Sequence, residues 1–198
     1  MKKIIVLVCI LGVHFGVFAQ SSLEVKGYFG ISSTQLARKA EIVGVGGVEM
    51  NTLNEFGFLL SKSISEKFRL TGGVGYSFGE VRFQPPFCSN CGEEYNLGQI
   101  SNFRMLSFPI YAEYTLGRYF YAAAGPIIDL ELSNKETYSD QSGIGYLIGL
   151  GARWKAEKFT FSIFPNYKRH GMIPFDNSSK FKHVLQEIGV QVGVRYSF

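Results

Sequence analysis

The 198-residue sequence has few charged residues, three cysteines, three histidines and one tryptophan. Charged residues make up 18% of the chain, below the ~25% typical of soluble domains, whereas glycine (23 residues) and aromatic residues (15%) are plentiful. This composition excludes a disordered chain, a coiled coil and a disulfide-dense scaffold. Beyond residue 20, apolar stretches such as Tyr121–Ile128 are far shorter than the ~20 residues of a membrane-spanning helix.

The first nineteen residues predict a cleaved signal peptide. Lys2 and Lys3 precede an apolar run at Ile4–Val13, and Val17 and Ala19 occupy the −3 and −1 positions of a predicted cleavage site. Residues 20–198 would then form the mature chain.

Alternative interpretations of this N-terminal segment fit less well. His14 and Gly16 interrupt the apolar run, which argues against a retained membrane helix. Cys9 lies inside that run, which argues against a lipoprotein. The predicted mature chain keeps 18 basic and 16 acidic residues, so its charge offers no basis for binding nucleic acid.

Side chains alternate with a period of two in eight segments, which predicts an all-β protein. In the segment 68–79, for example, Phe68, Leu70 and Val74 lie on one face, and Arg69 and Thr71 lie on the other. The eight predicted strands cover residues 25–33, 55–63, 68–79, 106–116, 119–131, 143–154, 159–168 and 187–198.

Two features favour a membrane barrel over a soluble barrel with its apolar face inside. The polar faces consist mainly of Gly, Ser and Thr with about one charge per strand, which suits the crowded lumen of a small barrel better than a water-facing surface. Aromatic residues also fall at both ends of the predicted strands, roughly 20–25 Å apart. One end has Phe68, Tyr114, Trp154, Phe159 and Tyr196, and the other has Tyr76, Phe78, Tyr146 and Tyr167.

The connections alternate strictly between short and long. Those near 63–66, 117–118 and 155–157 are short, and those near 34–54, 84–101, 133–142 and 171–183 are long. Outer-membrane barrels have short periplasmic turns and long extracellular loops. We therefore predict a single eight-stranded antiparallel up-and-down transmembrane β-barrel in the bacterial outer membrane, with both termini in the periplasm.

One segment of the first long loop, Ile42–Val48, has the pattern of a strand. Two interpretations remain open. It extends the first hairpin beyond the membrane, or it is itself a spanning strand and the segment 25–33 is peripheral.

Several short motifs resemble the small outer-membrane β-barrel domain family that includes PorT-like and OmpX-like proteins. They are Phe108–Ile110, the stretch Phe120–Pro126, Gly149–Gly151, and a final strand ending in Tyr196 and Phe198. The resemblance implies an integral outer-membrane protein. It also implies that Tyr196 and Phe198 form a C-terminal insertion signal recognised by the barrel-assembly machinery.

Ten charged residues alternate onto the predicted lumen face. Glu24, Lys26, Arg69, Glu113, Arg153 and Arg195 fall in the periplasmic half, and Asp129, Glu131, Lys168 and Glu187 lie further out. Mixed signs at similar depth predict a paired network, because isolated charges would be costly there. Such a network is interpreted as a structural plug, with a narrow ion or proton path as the alternative.

The sequence predicts no metal site or cofactor. Cys88 and Cys91 lie in the second long loop, where we expect a loop-tightening disulfide; there is no second CxxC to complete a zinc site, and no helix that a redox motif would open. For catalysis, the candidates are a histidine and serine pair with an acidic partner. They are His170 or His183, then Ser162, Ser178 or Ser179, with Asp176 or Glu187.

We therefore expect a non-enzymatic barrel with a structural or surface-interaction role and long extracellular loops. A narrow pore and a lipid-modifying enzyme are the alternatives. Two basic groups flank the last long loop: Lys168, Arg169 and His170, and Lys180, Lys182 and His183. Two interpretations are open: these residues contact lipopolysaccharide phosphates, or they form an ordinary solvated basic loop. Expected partners are thus outer-membrane lipids and lipopolysaccharide, with the assembly machinery during insertion, and a further protein partner is left unidentified.

Overall fold

The computed structural model describes residues 23–38, 47–85, 98–133, 140–175 and 183–198. Eight strands occupy these ranges: β1 Leu23–Arg38, β2 Gly47–Ser63, β3 Phe68–Gln84, β4 Gln99–Leu116, β5 Phe120–Glu131, β6 Gly143–Ala156, β7 Phe159–Pro174 and β8 His183–Ser197. Each strand pairs antiparallel with its neighbours in sequence, and β1 pairs with β8 to close the barrel. The predicted all-β, eight-stranded up-and-down barrel is confirmed.

No helix long and apolar enough to cross a membrane occurs in the described part of the chain. The predicted signal peptide (residues 1–19) and the candidate disulfide of Cys88 and Cys91 lie outside the described residues.

The two ends of the barrel differ in the length of their connections. Residues 64–67, 117–119 and 157–158 form short turns at one end, where β1 also begins and β8 finishes. We call this the turn end. The strand ends joined by the longer connections 39–46, 85–98, 132–142 and 175–182 lie at the opposite end, which we call the loop end.

The two faces of the wall have the polarity of a barrel in lipid. Outward positions carry exposed apolar side chains, such as Phe58 (65% exposed) and Leu150 (63%). Inward positions carry buried polar groups, including Lys26 and Glu113, each 1% exposed. The apolar band on β1 runs from Leu23 to Ile31, which spans roughly 20 Å along the membrane normal once the strand tilt is included.

Aromatic side chains line both edges of this band. Phe68 lies 4.9 Å from Tyr114 between ring centroids at the turn end. Towards the loop end, Tyr146 lies 6.0 Å from Tyr167. These pairs join neighbouring strands and match the aromatic girdles of membrane barrels.

The strands extend further at the loop end than the sequence pattern predicts. β1 continues to Arg38, β2 already begins at Gly47, β4 begins at Gln99 and β7 continues to Pro174. The predicted loops 34–54, 84–101 and 171–183 were therefore too long, whereas the 133–142 loop agrees with the structure to within one residue at each end.

The strand-like segment Ile42–Val48 belongs in part to this extension. Gly47 and Val48 begin β2, whose first residues pair with β3, and residues 42–46 lie outside the described residues. Because the segment 25–33 lies within β1 and pairs with both β2 and β8, the interpretation that made it peripheral was wrong.

The alternation of apolar and polar residues did not predict these longer strands, because the polarity of the two faces reverses above the apolar band. Outward positions become polar, as at Ser33, Glu80 and Arg104, while inward positions become apolar, as at Val81 and Phe103. This is the pattern of a barrel wall in water. We call the part of β1–β4 above the apolar band the loop-end extension.

Two apolar layers fill the lumen at different depths. The middle layer consists of Tyr28, Leu59, Tyr111, Tyr121, Ala123, Ile127, Leu147 and Phe164. The upper layer, inside the loop-end extension, consists of Met50, Leu53, Val81, Phe103, Met105 and Leu185. The polar side chains lie mainly in two clusters, one on the turn side of the middle layer and one between the two layers.

Candidate functional site

The polar cluster nearest the turn end is built around Glu113. We call it the arginine cluster; it contains Glu24, Arg69, Glu113, Arg153 and Arg195. Arg195 Nη2 donates to Glu113 Oε1 at 2.7 Å, and Arg69 Nη1 donates to Glu113 Oε2 at 3.3 Å. Arg153 Nη1 lies 3.7 Å from the same Oε2. One buried carboxylate thus faces three guanidinium groups.

Glu24 is the second carboxylate of the arginine cluster. Its Oε2 lies 3.2 Å from Arg69 Nε and 3.2 Å from Arg195 Nη1. Register explains this convergence: Arg69 lies opposite Glu113 on the adjacent strand, and Glu24 lies beside Ser197 at the start of the β1–β8 pairing. Five different strands therefore place charged side chains at one level of the lumen.

Lys26 joins the arginine cluster to the middle layer. Its ammonium lies 6.0 Å from the ring centroids of both Tyr28 and Phe164, within the range of cation–π attraction. Phe164 in turn stacks against Tyr121 at 5.6 Å and Tyr111 at 6.4 Å. Aromatic rings thus cross the lumen immediately beyond the charges.

The second polar cluster surrounds a buried histidine. We call it the histidine cluster; it contains Glu55, Asp129, Lys168, His170 and Glu187. His170 Nδ1 lies 2.7 Å from Asp129 Oδ2, and its Nε2 lies 2.5 Å from Glu187 Oε1. Lys168 Nζ donates to Glu55 Oε2 at 2.7 Å and to Glu187 Oε1 at 3.4 Å.

Neutral side chains complete the hydrogen bonding of these carboxylates. Ser107 Oγ donates to Asp129 at 2.7 Å, and Gln191 Nε2 donates to Glu55 at 2.8 Å. Ser32 Oγ donates to Glu187. Each of these buried carboxylates thus has hydrogen-bond partners, which offset part of the cost of removing its charge from water.

Glu131 lies apart from the histidine cluster. Its Oε2 accepts the backbone N–H of Gln141 at 2.7 Å, and the side-chain oxygen of Gln141 accepts the N–H of Leu185 at 2.9 Å. This chain of bonds links β5 to β8 across the start of β6, next to the upper layer.

The structure thus places all ten predicted lumen residues on the inward face, but divides them among four locations. Five form the arginine cluster, Lys26 lies against the middle layer, and Asp129, Lys168 and Glu187 join the histidine cluster, with Glu131 beyond. Sequence reasoning missed Glu55 and His170 as lumen residues. Lys168 and His170 are two positions apart on one strand and therefore share a face. This spacing could have identified His170 as a lumen residue.

One part of the predicted lipopolysaccharide contact is wrong. Lys168 and His170 point into the lumen and are 5% and 1% exposed, so neither can reach a phosphate outside the barrel. The second predicted basic group, 180–183, lies outside the residues whose side chains are described.

The structure does not bring the catalytic candidates together. Ser162 and His170 are eight residues apart on β7, roughly 26 Å along the strand, and Ser162 Oγ donates to the backbone oxygen of Gly193 at 3.3 Å. Both ring nitrogens of His170 face carboxylates. Ser178, Ser179, Asp176 and the side chain of His183 are not described.

The predicted C-terminal signal residues lie on the outward face at the turn end. Tyr196 packs against Phe159 with ring centroids 5.3 Å apart, and Phe198 meets Tyr196 edge-on at 5.2 Å. Phe198 itself is 75% exposed. Their role as an insertion signal stays a prediction.

A cavity opens at each end of the barrel. At the turn end, a cavity of about 790 Å³ lies over the arginine cluster and reaches Arg118, in the turn 117–119, and Lys155, near the end of β6. We call it the turn-end vestibule. At the loop end, a groove of about 520 Å³ runs along the outside of β2–β4 and includes Glu80, Arg82 and Arg104. We call it the loop-end groove.

A closed barrel with an apolar outer band, aromatic girdles and a polar lumen defines an integral outer-membrane protein. Comparison with known families identifies it further: residues 18–198 match the model of the outer membrane protein beta-barrel domain family. The chain belongs to that family and is a protein of the bacterial outer membrane.

Solved structures share the fold at low sequence identity. The outer membrane protein OprG from Pseudomonas aeruginosa is 12% identical with a TM-score of 0.53; the match covers 90% of this chain and 96% of OprG. The outer membrane protein AlkL is 15% identical with a TM-score of 0.57, covering 90% of each chain. A search of curated protein sequences found no significant match.

Proposed function

We propose that this protein is a closed outer-membrane barrel that acts through its extracellular surface, rather than as a pore or an enzyme. The observation that supports this role is the filling of the lumen by side chains. Two apolar layers cross it, and paired charges occupy the levels beside and between them.

The middle layer is the principal barrier to ions. Leu59, Tyr121, Ile127 and Phe164 are each at most 2% exposed, so within the described residues this level offers no room for a continuous chain of water. Eight-stranded barrels have an interior just wide enough for their own side chains. The paired clusters then serve as a plug that holds the barrel in register.

The loop-end groove supplies the surface that the proposal requires. Its lining combines outward-facing polar residues above the apolar band with the apolar side chains of Phe78 and Ile100. Among the polar residues, Glu49 lies opposite Arg82 and Glu80 lies opposite Asn102. We propose that this face contacts the sugars and phosphates of outer-leaflet lipopolysaccharide and is available to an extracellular partner. Guanidinium groups such as Arg104 are suited to phosphate contacts.

Conductance of the purified protein in planar lipid bilayers tests the closed lumen. Folded insertion is first verified by gel mobility, because a folded barrel migrates differently before and after boiling. We expect no unitary current steps under an applied voltage. Reproducible steps from the folded, heat-modifiable protein would favour the narrow pore and refute the proposed plug.

A further inference from the structure

The turn-end vestibule carries more positive charge than its own carboxylates neutralise. Its floor contains the three guanidinium groups of the arginine cluster, which face only two carboxylates, Glu24 and Glu113. Arg118 and Lys155 on the rim add two more cations, against Glu157. The wall and floor therefore hold a net excess of positive charge.

Two guanidinium atoms on the floor also lack a hydrogen-bond partner. Arg69 Nε lies 3.2 Å from Glu24 Oε2 and Arg153 Nη1 lies 3.7 Å from Glu113 Oε2, but neither of these ion pairs has the geometry of a hydrogen bond. Arg153 is held in place by a 2.6 Å hydrogen bond from Nη2 to Thr115 Oγ1 and by the ring of Tyr121, 5.6 Å away. Its position is thus set by the barrel, while its charge is only partly compensated.

Excess buried positive charge is unfavourable unless an anion compensates it. The planar forks of guanidinium groups match the oxygens of a phosphate group and bind it through charge-assisted hydrogen bonds. The vestibule volume of about 790 Å³ is larger than the volume of a single phosphate group, so the vestibule accommodates a small phosphoester.

From this geometry we infer that the turn-end vestibule is a phosphoester-binding site on the periplasmic side of the barrel, with Arg69, Arg153 and Arg195 as its floor. The phosphate group comes either from the headgroup of an inner-leaflet phospholipid or from a soluble periplasmic phosphoester. Trp154 and Tyr119 line the vestibule at the turn-end edge of the apolar band, so both sources can reach it.

The chain contains its own reporter for this site. Trp154 is the single tryptophan of the sequence and lines the vestibule. Its fluorescence can be followed in the full-length protein in neutral detergent while glycerol 3-phosphate is added. Sodium chloride at matched ionic strength serves as the reference titration.

We expect a saturable change in Trp154 emission with glycerol 3-phosphate but not with chloride. R153Q should weaken the apparent affinity at least tenfold. K67Q removes the same charge from an exposed lysine in the short turn 64–67, outside the vestibule, and should leave the affinity unchanged. If R153Q fails to fold, the rim variant R118Q/K155Q, which leaves the arginine cluster intact, should still weaken binding several-fold.

A second set of titrations distinguishes the two sources of phosphate. The protein is reconstituted into phosphatidylcholine vesicles with or without phosphatidylglycerol. If only phosphatidylglycerol changes the Trp154 emission, and R153Q abolishes that change, the phosphate group is a lipid headgroup. If only glycerol 3-phosphate does so, with the same dependence on Arg153, the ligand is a soluble phosphoester. Equal responses to chloride and glycerol 3-phosphate, or equal losses in K67Q and R153Q, would overturn the assignment.

Discussion

At the scale of single residues, the lumen is held together by charges that arrive from different strands. Glu113 on β4 accepts from Arg195 on β8 and Arg69 on β3, and Glu187 on β8 meets Lys168 and His170 on β7. Removing one member of such a group leaves the others buried without compensation, which is costlier than removing an exposed ion pair.

Replacement of Glu113 by glutamine tests this dependence. Glu113→Gln keeps the shape of the side chain but leaves three guanidinium groups facing one carboxylate, and we expect a loss of about 3–5 kcal/mol in the free energy of unfolding. Denaturant titration of the protein refolded in lipid vesicles measures it.

Glu66→Gln is the matched control for this experiment. Glu66 is exposed in the turn between β2 and β3, so the same substitution should change the free energy of unfolding by less than ~0.5 kcal/mol. Equal effects of the two substitutions would contradict the structural role given to the arginine cluster.

Which residues face the lumen was largely predictable, because a period of two fixes the face of each side chain once one strand is oriented. Which of these residues pair with one another could not be predicted. Glu55 and Lys168 are 113 positions apart and meet only because the stagger of the closed sheet brings β2 and β7 to one level across the lumen.

At the scale of the strands, the curvature of a small barrel makes its inner face crowded and its outer face open. Gly73 lies on the inner face of β3, where an added Cβ would meet Phe58 O and lie 2.8 Å from Leu59 Cα. At Gly72, on the outer face, the nearest atom would be Pro109 O at an ordinary 3.5 Å.

These neighbouring glycines provide a matched pair of substitutions. We expect Gly73→Ala to destabilise the folded barrel by about 1–3 kcal/mol, because backbone must move to admit the methyl group. Gly72→Ala should be nearly neutral. The midpoint temperature of the heat-dependent gel shift measures both variants, and similar midpoints for the two would contradict the crowding described for Gly73.

The ends of the strands were less predictable than their central parts. The apolar side of the sheet changes from outward to inward where β1–β4 leave the lipid. A prediction that assumes one constant apolar face therefore ends these strands too early. The register shift between Met50 and Leu53 on β2 adds to this, since a bulge breaks the strict alternation.

At the scale of the whole molecule, an apolar band of roughly 20 Å separates two polar ends with different chemistry. The turn end has a recessed arginine floor. The loop end has an exposed mixed-charge face that the loop-end extension raises above the lipid, where Arg82 and Arg104 are both exposed.

The proposed contact with lipopolysaccharide is tested at the loop end of this asymmetric molecule. R82Q/R104Q should weaken binding of purified lipopolysaccharide about tenfold, equivalent to ~1.4 kcal/mol, because two guanidinium–phosphate contacts are lost at a partly solvated surface. Lipopolysaccharide retained per barrel after detergent washing measures the change.

The control for lipopolysaccharide binding is K67Q/K158Q, which removes two exposed charges from the turn end and should leave retention unaltered. If the two double variants lose lipopolysaccharide to the same extent, net charge rather than the loop-end groove determines the binding.

The sequence by itself determined the class, the number of strands and the face of ten lumen charges, because alternation, aromatic spacing and connection length are local properties of the chain. The tertiary structure alone decided that His170 lies between Asp129 and Glu187, and that Arg69, Arg153 and Arg195 all face the carboxylate of Glu113. Closure of the sheet sets the tilt and stagger of all eight strands together. The level at which two distant side chains meet is therefore a property of the closed barrel and not of any one segment.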